Sequence, residues 1–289
     1  MELKLCTYAT VTTLGDFGPW ISRVVLDLPC TVRANDIDAD TFHIYVERHE
    51  RSGEVLMRKE RGADHAAPSV GYIDVLAVGT HVALEVAEQR LTKTIEGGVM
   101  GSRMLDDQLR ITQLAALPGN DGDDPTCGLV FDTCRGDICP ALKGWSNDTQ
   151  KTAVDGIALE YGFFEPSFKA EDSACFNPFA PEATAVPQKA PLVVYLHGAG
   201  EGKGATQGEG ATRAYIGNRV TAISQAQIQR YFGGFAWVLV PQSPTFWMDN
   251  GVEQLGHSNQ SIYSPVLKAL IDEFVAEHAD RIDTDRIVV

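Results

Sequence analysis

Residues 1 to 116 carry hydrophobic residues at every second position in several short segments. Such alternation is typical of β-strands that place one face on a hydrophobic core. Turn residues separate the segments, at Asn35-Asp36, Ser52-Gly53 and Gly97-Gly98, so we expect antiparallel strands in a small sandwich. The predicted inward residues are Val24, Leu26, Leu28, Phe42, Ile44, Val46, Val82, Leu84, Val86, Leu109 and Ile111.

Residues 151 to 289 follow a different pattern, in which apolar runs alternate with helical periodicity. The continuous runs Leu192 to Leu196 and Phe235 to Val240 predict strands buried on both faces. Ile157 to Phe164 predicts an earlier strand, and Ile287 to Val289 the opening of a third buried one. The order predicts the N-terminal part of an α/β domain, with a mainly parallel sheet and helices on both faces.

One amphipathic helix is predicted in this second half. Apolar residues recur at helical spacing from Ile262 to Val275, which indicates a helix of about 15 residues packed on a sheet. Ser264 and Pro265 can supply its cap and its first position.

The two patterns are separated by residues 117 to 150. The stretch LPGNDGDDPTCG is dense in residues that favour loops and linkers. We therefore expect three parts: a sandwich at 1–116, a linker at 117–150, and an incomplete α/β domain at 151–289.

Composition and charge narrow the function classes. An apolar fraction of 44% in 289 residues fits a folded protein of one large or two smaller domains. The formal charge of −15 disfavours nucleic acid and anionic membrane surfaces as partners. The N-terminus lacks a basic region followed by an apolar core, and no stretch suits a bilayer span. We expect a cytoplasmic protein, with secretion by another route still open.

The six cysteines do not resolve the compartment. They are Cys6, Cys30, Cys127, Cys134, Cys139 and Cys175. Three of them, Cys127, Cys134 and Cys139, lie close together in the sequence. This cluster lacks the paired C-x-x-C spacing of a zinc site and has no nearby His. We expect plain thiols or one local disulfide, and neither a metal nor an organic cofactor is implied.

The segment Pro191 to Gly200, PLVVYLHGAG, is the strongest candidate for chemistry. A buried strand that runs into glycines presents backbone at its carboxyl end, where open α/β sheets place their sites. A phosphate-binding P-loop is excluded, because Gly202-Lys203 is followed by Gly204 and His197 stands where the first glycine belongs. Gly200-x-Gly202-x-x-Ala205 formally matches a dinucleotide motif, although further glycines argue for a continued loop.

An oxyanion hole is the interpretation that we favour for this loop. Acyl transfer places negative charge on a former carbonyl oxygen, and backbone N–H groups aimed at that oxygen stabilise it. In α/β-hydrolases one donor lies after the third strand, in His-Gly-Gly-Gly-like motifs. His197, Gly198, Ala199 and Gly200 have that form, and we expect His197 to brace the loop. A simple tight turn is the alternative.

Longer stretches carry a family resemblance. PLVVYLHGAGEGKG, WVLVPQSP and LKALIDEFVAEHADRIDTDRIVV resemble α/β-hydrolase esterases of the polyhydroxybutyrate-depolymerase-like and prolyl-oligopeptidase-like groups. GPWISRVVLDLP and IDADTFHIYVER resemble the immunoglobulin-like domain that precedes the hydrolase in one branch. The resemblance covers most of the chain except the linker and the cysteine cluster. It implies a serine carboxylic-ester hydrolase acting on a small-molecule ester.

The sequence departs from that family in one respect. The family order is Ser, then Asp or Glu, then His, all after the strand that begins near Ile287. No G-x-S-x-G occurs in these 289 residues. Asp249 and His257 precede the expected nucleophile, so we interpret them as loop residues. We expect the triad after Val289, and residues 1–289 alone to be inactive.

Three points stay open at this stage. Phe246 and Trp247 are candidates for a substrate wall, or for packing under a loop. A peptidase of the prolyl-oligopeptidase type is an alternative function, although residues 1 to 116 show no propeller repeats. A binding protein, with homo-oligomers formed through the immunoglobulin-like domain, is another.

Overall fold

The computed structural model describes residues 3–38, 40–50, 55–61, 79–96, 99–119, 123–183, 185–252 and 260–289. The chain divides into two compact units. The first comprises Met1–Leu14, Gly18–Thr92 and Met104–Pro140, and the second Gly15–Phe17, Lys93–Arg103 and Ala141–Val289. The turn pairs Ser52-Gly53 and Gly97-Gly98, and His257, lie outside the described residues.

The first sheet contains eight strands in the described part of the chain. Its strand order is β4-β3-β7-β8-β1-β2-β5, and β6 pairs with β7. The strands are β1 Lys4–Gly15, β2 Gly18–Val32, β3 Phe42–Glu50, β4 Val55–Arg61, β5 Gly79–Gln89, β6 Leu91–Glu96, β7 Val99–Gln113 and β8 Leu129–Ile138.

The alternating pattern locates the core of this sheet correctly. All the predicted inward residues on β2, β3, β5 and β7 are buried in one hydrophobic cluster. The same cluster contains Tyr8, Leu117, Leu129 and Phe131, which the alternation does not mark. Side chains that alternate between the two faces of a strand therefore account for most of this core.

Two features of the first sheet differ from the sequence prediction. The strand β1 pairs with β8 in parallel, whereas all pairs were expected to be antiparallel. The expected linker, 117–150, contains β8 and a strand of the second sheet. Only the first three residues of β8, Leu129 to Phe131, are buried, and the rest of the strand is exposed. So short an apolar run leaves no period-2 pattern to detect.

The second sheet has five described strands in the order β13-β11-β12-β10-β9. The strand β11 runs parallel to β12 and to β13, whereas β10 runs antiparallel to β12 and to β9. The sheet is therefore mixed and not mainly parallel. Its strands are β9 Trp145–Thr149, β10 Glu160–Phe164, β11 Ala190–Val194, β12 Trp237–Gln242 and β13 Ile282–Val288.

Two α-helices are described, α1 Ala226–Gln229 and α2 Ser264–Glu277. The helix α2 buries Val266, Leu270 and Phe274 in the core of the second sheet. Its N-cap is Tyr263 and makes no side-chain cap hydrogen bond, so Ser264 is the first helical residue and not the cap. The described residues include no second long helix, and the expected helices on both faces are not seen there.

Short 3₁₀ turns connect these elements. They are Ala34–Asp36, Pro140–Leu142, Ala170–Asp172, Pro181–Ala183, Ala199–Glu201, Ala211–Ala214, Val220–Ser224 and Arg230–Phe232. The last two of these turns flank α1, so Val220 to Phe232 forms three short helical pieces and no long helix. No described helix is long and apolar enough to cross a lipid bilayer.

The last strand is longer and more exposed than the sequence indicates. It begins at Ile282, which is buried, whereas Val288 is 53% exposed. Burial on both faces is not seen, because Ile287 is only partly buried and Thr284 to Arg286 are exposed as well. Cys6, Cys30, Cys127, Cys134 and Cys175 are free thiols.

Candidate active site

The glycine loop follows β11, the third strand of the second sheet in chain order. The neighbouring strand β12 is parallel to it, with Leu192 opposite Trp237 and Val194 opposite Leu239. Because the carboxyl ends of parallel neighbours meet at one edge of a sheet, the loops after the two strands lie side by side. This edge therefore holds His197 to Gly200 from one loop and Ser243 to Trp247 from the other.

His197 joins the two loops from a buried position. It is 4% exposed, and its Nε2 accepts a hydrogen bond of 3.0 Å from the Ser243 backbone N–H. Its Nδ1 lies 2.7 Å from the Gly198 carbonyl oxygen and donates to it, which fixes the neutral tautomer. Burial lowers the pKa of His197 to about 4, and the hydrogen bond to Gly198 offsets part of this effect. The ring is therefore neutral at neutral pH, and both of its nitrogens are engaged in holding the two loops together.

Backbone hydrogen bonds continue the junction along the glycine loop. The Lys203 N–H donates to the Ser243 carbonyl at 2.9 Å, and the Gly204 N–H to the Pro244 carbonyl at 2.9 Å. A Cβ atom on Gly202 would lie 1.9 Å from the Thr245 carbonyl oxygen. Glycine is therefore required at position 202 by this close approach of two backbones.

Glu201 accepts a hydrogen bond from one of the predicted oxyanion donors, the Gly198 N–H. Its carboxylate accepts a hydrogen bond of 2.8 Å from the Gly198 N–H and one of 2.6 Å from the Asn218 amide. Its backbone carbonyl accepts from the Gln242 side chain at 2.9 Å. The Gly198 N–H is thus already hydrogen-bonded within the loop. It stabilises the conformation of the loop, whereas the sequence analysis predicted that it donates to an oxyanion.

Ala199 and Gly200 keep their N–H groups available. Both residues are partly exposed and begin the 3₁₀ turn Ala199–Glu201. Within the described residues, neither amide donates a hydrogen bond to another protein group. Of the four predicted residues, these two have the property that an oxyanion donor needs.

The two aromatic residues of the second loop differ in exposure. Trp247 is buried, with its ring centroid 5.5 Å from that of His197 and 6.3 Å from that of Tyr263. It packs beneath the junction of the two loops and belongs to the core of this sheet. Phe246 is only partly buried, so it has the more accessible surface of the pair.

Asp249 stabilises the loop that contains it. Its carboxylate accepts from the Thr245 hydroxyl at 2.5 Å and from the Gly251 N–H at 2.8 Å. The Thr245 hydroxyl also lies 2.7 Å from that of Tyr263, at the start of α2. These contacts satisfy a buried carboxylate locally. His257, the other triad candidate, lies outside the described residues.

Ser243 lies beside a histidine but is not placed as a nucleophile. Its Oγ is 3.2 Å from Nε2 of His197, within the distance of a nucleophile and its base. Ser243 is completely buried, however, and the same Nε2 already accepts its backbone N–H. A hydroxyl that no substrate can reach cannot attack an ester, so this pair holds the loops together.

Sequence reasoning missed several residues that shape this edge. Glu201, Gln242 and Ser243 are single polar residues, and only their position directly after a predicted strand or glycine motif could have marked them. No group of three or more His, Cys, Asp or Glu side chains suited to a metal occurs in the described ranges.

No protein-family model and no curated protein matches the chain. Among solved structures, the chain is similar to a crystal structure of a thermostable esterase, with a TM-score of 0.65 and 19% sequence identity. The match covers 97% of this chain and 69% of the esterase chain. The chain has an esterase-like fold. At this level of identity, the similarity supports the fold and leaves the chemistry to be argued from the residues.

Proposed function

We propose that this chain is the oxyanion-hole portion of a serine carboxylic-ester hydrolase. The main support is the pair of unused N–H groups at Ala199 and Gly200, held at the carboxyl edge of two parallel strands. The similarity to an esterase fold over nearly the whole chain agrees with it. The nucleophilic Ser, the Asp and the His are proposed to follow Val289 in the complete polypeptide.

In the proposed reaction, the serine hydroxyl attacks the ester carbonyl, loses its proton to the catalytic His, and forms a tetrahedral intermediate. The alcohol then leaves with that proton, and water hydrolyses the acyl-enzyme. The amides of Ala199 and Gly200 donate to the oxyanion, together with that of the residue after the nucleophile. His197 is not the catalytic base, because its two nitrogens are occupied and burial lowers its pKa to about 4.

The finer assignments belong to the same proposal. The first sheet is proposed to be an immunoglobulin-like domain, and homo-oligomers would form through it. Phe246, with its partly exposed ring, is the better candidate for a substrate wall, whereas Trp247 is buried. The substrate is a small-molecule ester, and no step needs a metal or an organic cofactor.

The test compares two polypeptides and two substrates. The product of the complete gene is expected to hydrolyse p-nitrophenyl butyrate, and residues 1–289 alone are expected not to. A peptide p-nitroanilide assayed in parallel separates an esterase from a peptidase of the same fold. A complete gene product that contains a G-x-S-x-G segment and cleaves neither substrate would contradict the proposal. Faster turnover of the anilide would favour the peptidase.

A further inference from the structure

Ser102 contacts the glycine loop at two points. Its backbone N–H donates to the Ala205 carbonyl at 3.2 Å, and its Oγ donates to the Gly200 carbonyl at 3.2 Å. Ser102 and the loop both belong to the second unit, and Ser102 is 7% exposed. One buried serine therefore spans the loop from residue 200 to residue 205.

Arg213 fixes the direction of the hydrogen bond between Ser102 and Gly200. Nη2 of its guanidinium lies 2.5 Å from the Ser102 Oγ. A guanidinium only donates hydrogen bonds, so the serine oxygen must accept from it. The single hydroxyl hydrogen of Ser102 is then left for the Gly200 carbonyl. The order of donation is Arg213 to Ser102 to Gly200, and it cannot reverse.

The cation in this series is itself held in place. Arg213 is 3% exposed, and its Nε lies 3.1 Å from a carboxylate oxygen of Glu209, four residues earlier. A buried arginine with a carboxylate partner has few alternative positions, because moving either charge leaves the other without compensation. A hydrogen bond assisted by a cation is also stronger than one between neutral groups.

The glycine loop needs such external contacts because it has few side chains of its own. At its start, His197 is hydrogen-bonded to Ser243. Further along, the backbones of Lys203 and Gly204 are hydrogen-bonded to the neighbouring loop. Between these anchors lies Gly200, whose carbonyl is held by Ser102. The Gly200 carbonyl shares its peptide plane with the Glu201 N–H, which donates to the Gly198 carbonyl and closes the 3₁₀ turn. Holding this plane therefore supports the turn that carries the two unused amides.

We propose that Ser102 and Arg213 are positioning residues for the oxyanion donors at Ala199 and Gly200. This inference rests on the proposed ester hydrolysis. Neither residue touches the substrate. Ser102, from a segment about a hundred residues earlier in the chain, sets the geometry of the loop, and Arg213 sets the polarity of that contact.

The first part of the test uses residues 1–289 and does not depend on catalysis. Amide hydrogen exchange is measured at Glu201, Lys203 and Gly204, whose N–H groups are hydrogen-bonded in the native loop. In Ser102→Ala we expect exchange at these amides to be about tenfold faster, the equivalent of one lost hydrogen bond. Ser102→Thr keeps the hydroxyl and is expected to restore slow exchange.

Ser22→Ala is the matched control. The Ser22 hydroxyl also donates to a backbone carbonyl, that of Val11 at 3.1 Å, but it lies in the first unit. This variant is expected to leave exchange in the glycine loop unchanged. Should Ser102→Ala fail to fold, Arg213→Lys replaces it, since lysine keeps the charge but loses the forked geometry that reaches both Ser102 and Glu209.

The second part uses the complete esterase polypeptide. With p-nitrophenyl butyrate, Ser102→Ala is expected to lower kcat about tenfold with KM unchanged, and Ser102→Thr to recover kcat. Unchanged amide exchange in the loop of Ser102→Ala would show that the hydrogen bonds of Ser102 do not hold the glycine loop. Faster exchange with unchanged kcat would overturn its role in positioning. A parent polypeptide without ester turnover would refute the proposed function and the positioning role together. The exchange result would still show whether Ser102 holds the glycine loop.

Discussion

The loops after β11 and β12 lie at the same edge of one sheet but are stabilised in different ways. The loop after β12 is held mostly by its own residues, since Asp249 accepts hydrogen bonds from Thr245 and Gly251. The loop after β11 has internal hydrogen bonds too, such as that from the Gly198 N–H to Glu201, but it is also held by Ser243 and Ser102 from other segments. A loop that leaves backbone amides available for a ligand cannot also use them for its own stability. This difference agrees with the proposal that the glycine loop binds the substrate and the other loop supports it.

The largest effect is expected where the two backbones meet. In Gly202→Ala, the new Cβ would lie 1.9 Å from the Thr245 carbonyl oxygen, so the two loops must separate. We expect a loss of about 3 kcal/mol in the free energy of unfolding, measured by urea titration. Gly198→Ala is the control, because its Cβ would lie 3.5 Å from the nearest atom, a carboxylate oxygen of Glu201. Equal losses in the two variants would show that the loops are not tightly docked.

The brace at His197 makes stability depend on pH. Burial lowers its native pKa to about 4 from the ordinary value of 6.5, so the unfolded chain binds the extra proton first as the pH falls. The stabilising contribution is complete above pH 6.5 and is lost progressively between pH 6.5 and 4. Two and a half pH units correspond to at most about 3 kcal/mol.

His197→Gln separates this contribution from other titrations. His278 also has a lowered pKa, caused mainly by burial, and titrates in the same direction. The difference between the parent and His197→Gln, followed by urea unfolding from pH 7 to pH 4.5, therefore isolates His197. If the free energy of unfolding changed equally with pH in both proteins, His197 would not be a neutral, buried side chain that stabilises the fold.

A smaller effect is expected in the loop after β12. Thr245→Val removes the hydroxyl that donates to Asp249 and leaves the buried carboxylate with one donor fewer. We expect a loss of about 2 kcal/mol in thermal unfolding experiments. Thr245→Ser keeps the hydroxyl and should lose much less. If the two variants were equally stable, the loop would not depend on this hydrogen bond.

The sequence predicts regular elements better than contacts between loops. Alternation identifies β2, β3, β5 and β7 with their inward residues, since one polar and one apolar face leave a clear period. The strand β8 escapes detection because its buried residues are only Leu129 to Phe131. The antiparallel strands β9 and β10 change the sheet from mainly parallel to mixed, and nothing in their composition indicates their direction.

The site shows the same division. The motif from His197 to Gly200 is visible in the sequence, because glycines after an apolar run are a local pattern. The residues that hold the motif are single polar side chains, and Ser102 lies 98 residues from the carbonyl that it contacts. Contacts of this kind depend on the whole fold, so no local sequence pattern predicts them.

Ala199→Pro tests the central claim most directly, because it deletes one unused N–H with little other change. Gly198 has φ −75° and ψ 169°, a conformation that a following proline accepts, and prolines already begin the 3₁₀ turns at Pro140 and Pro181. Ala170→Pro is the matched control. Ala170 also begins a 3₁₀ turn after an extended residue, with ψ 141° at Lys169, in a loop before β11.

The measurement is the kcat of the complete polypeptide on p-nitrophenyl butyrate, together with the melting temperature of each variant. The proposed oxyanion hole predicts that Ala199→Pro melts like the parent but loses about a hundredfold to a thousandfold in kcat, whereas Ala170→Pro keeps full activity. If Ala199→Pro melts normally and retains the kcat of the parent, the Ala199 amide is not an oxyanion donor. That result would contradict the proposed pair of donors and leave the Gly200 amide as the remaining candidate in the described part of the loop.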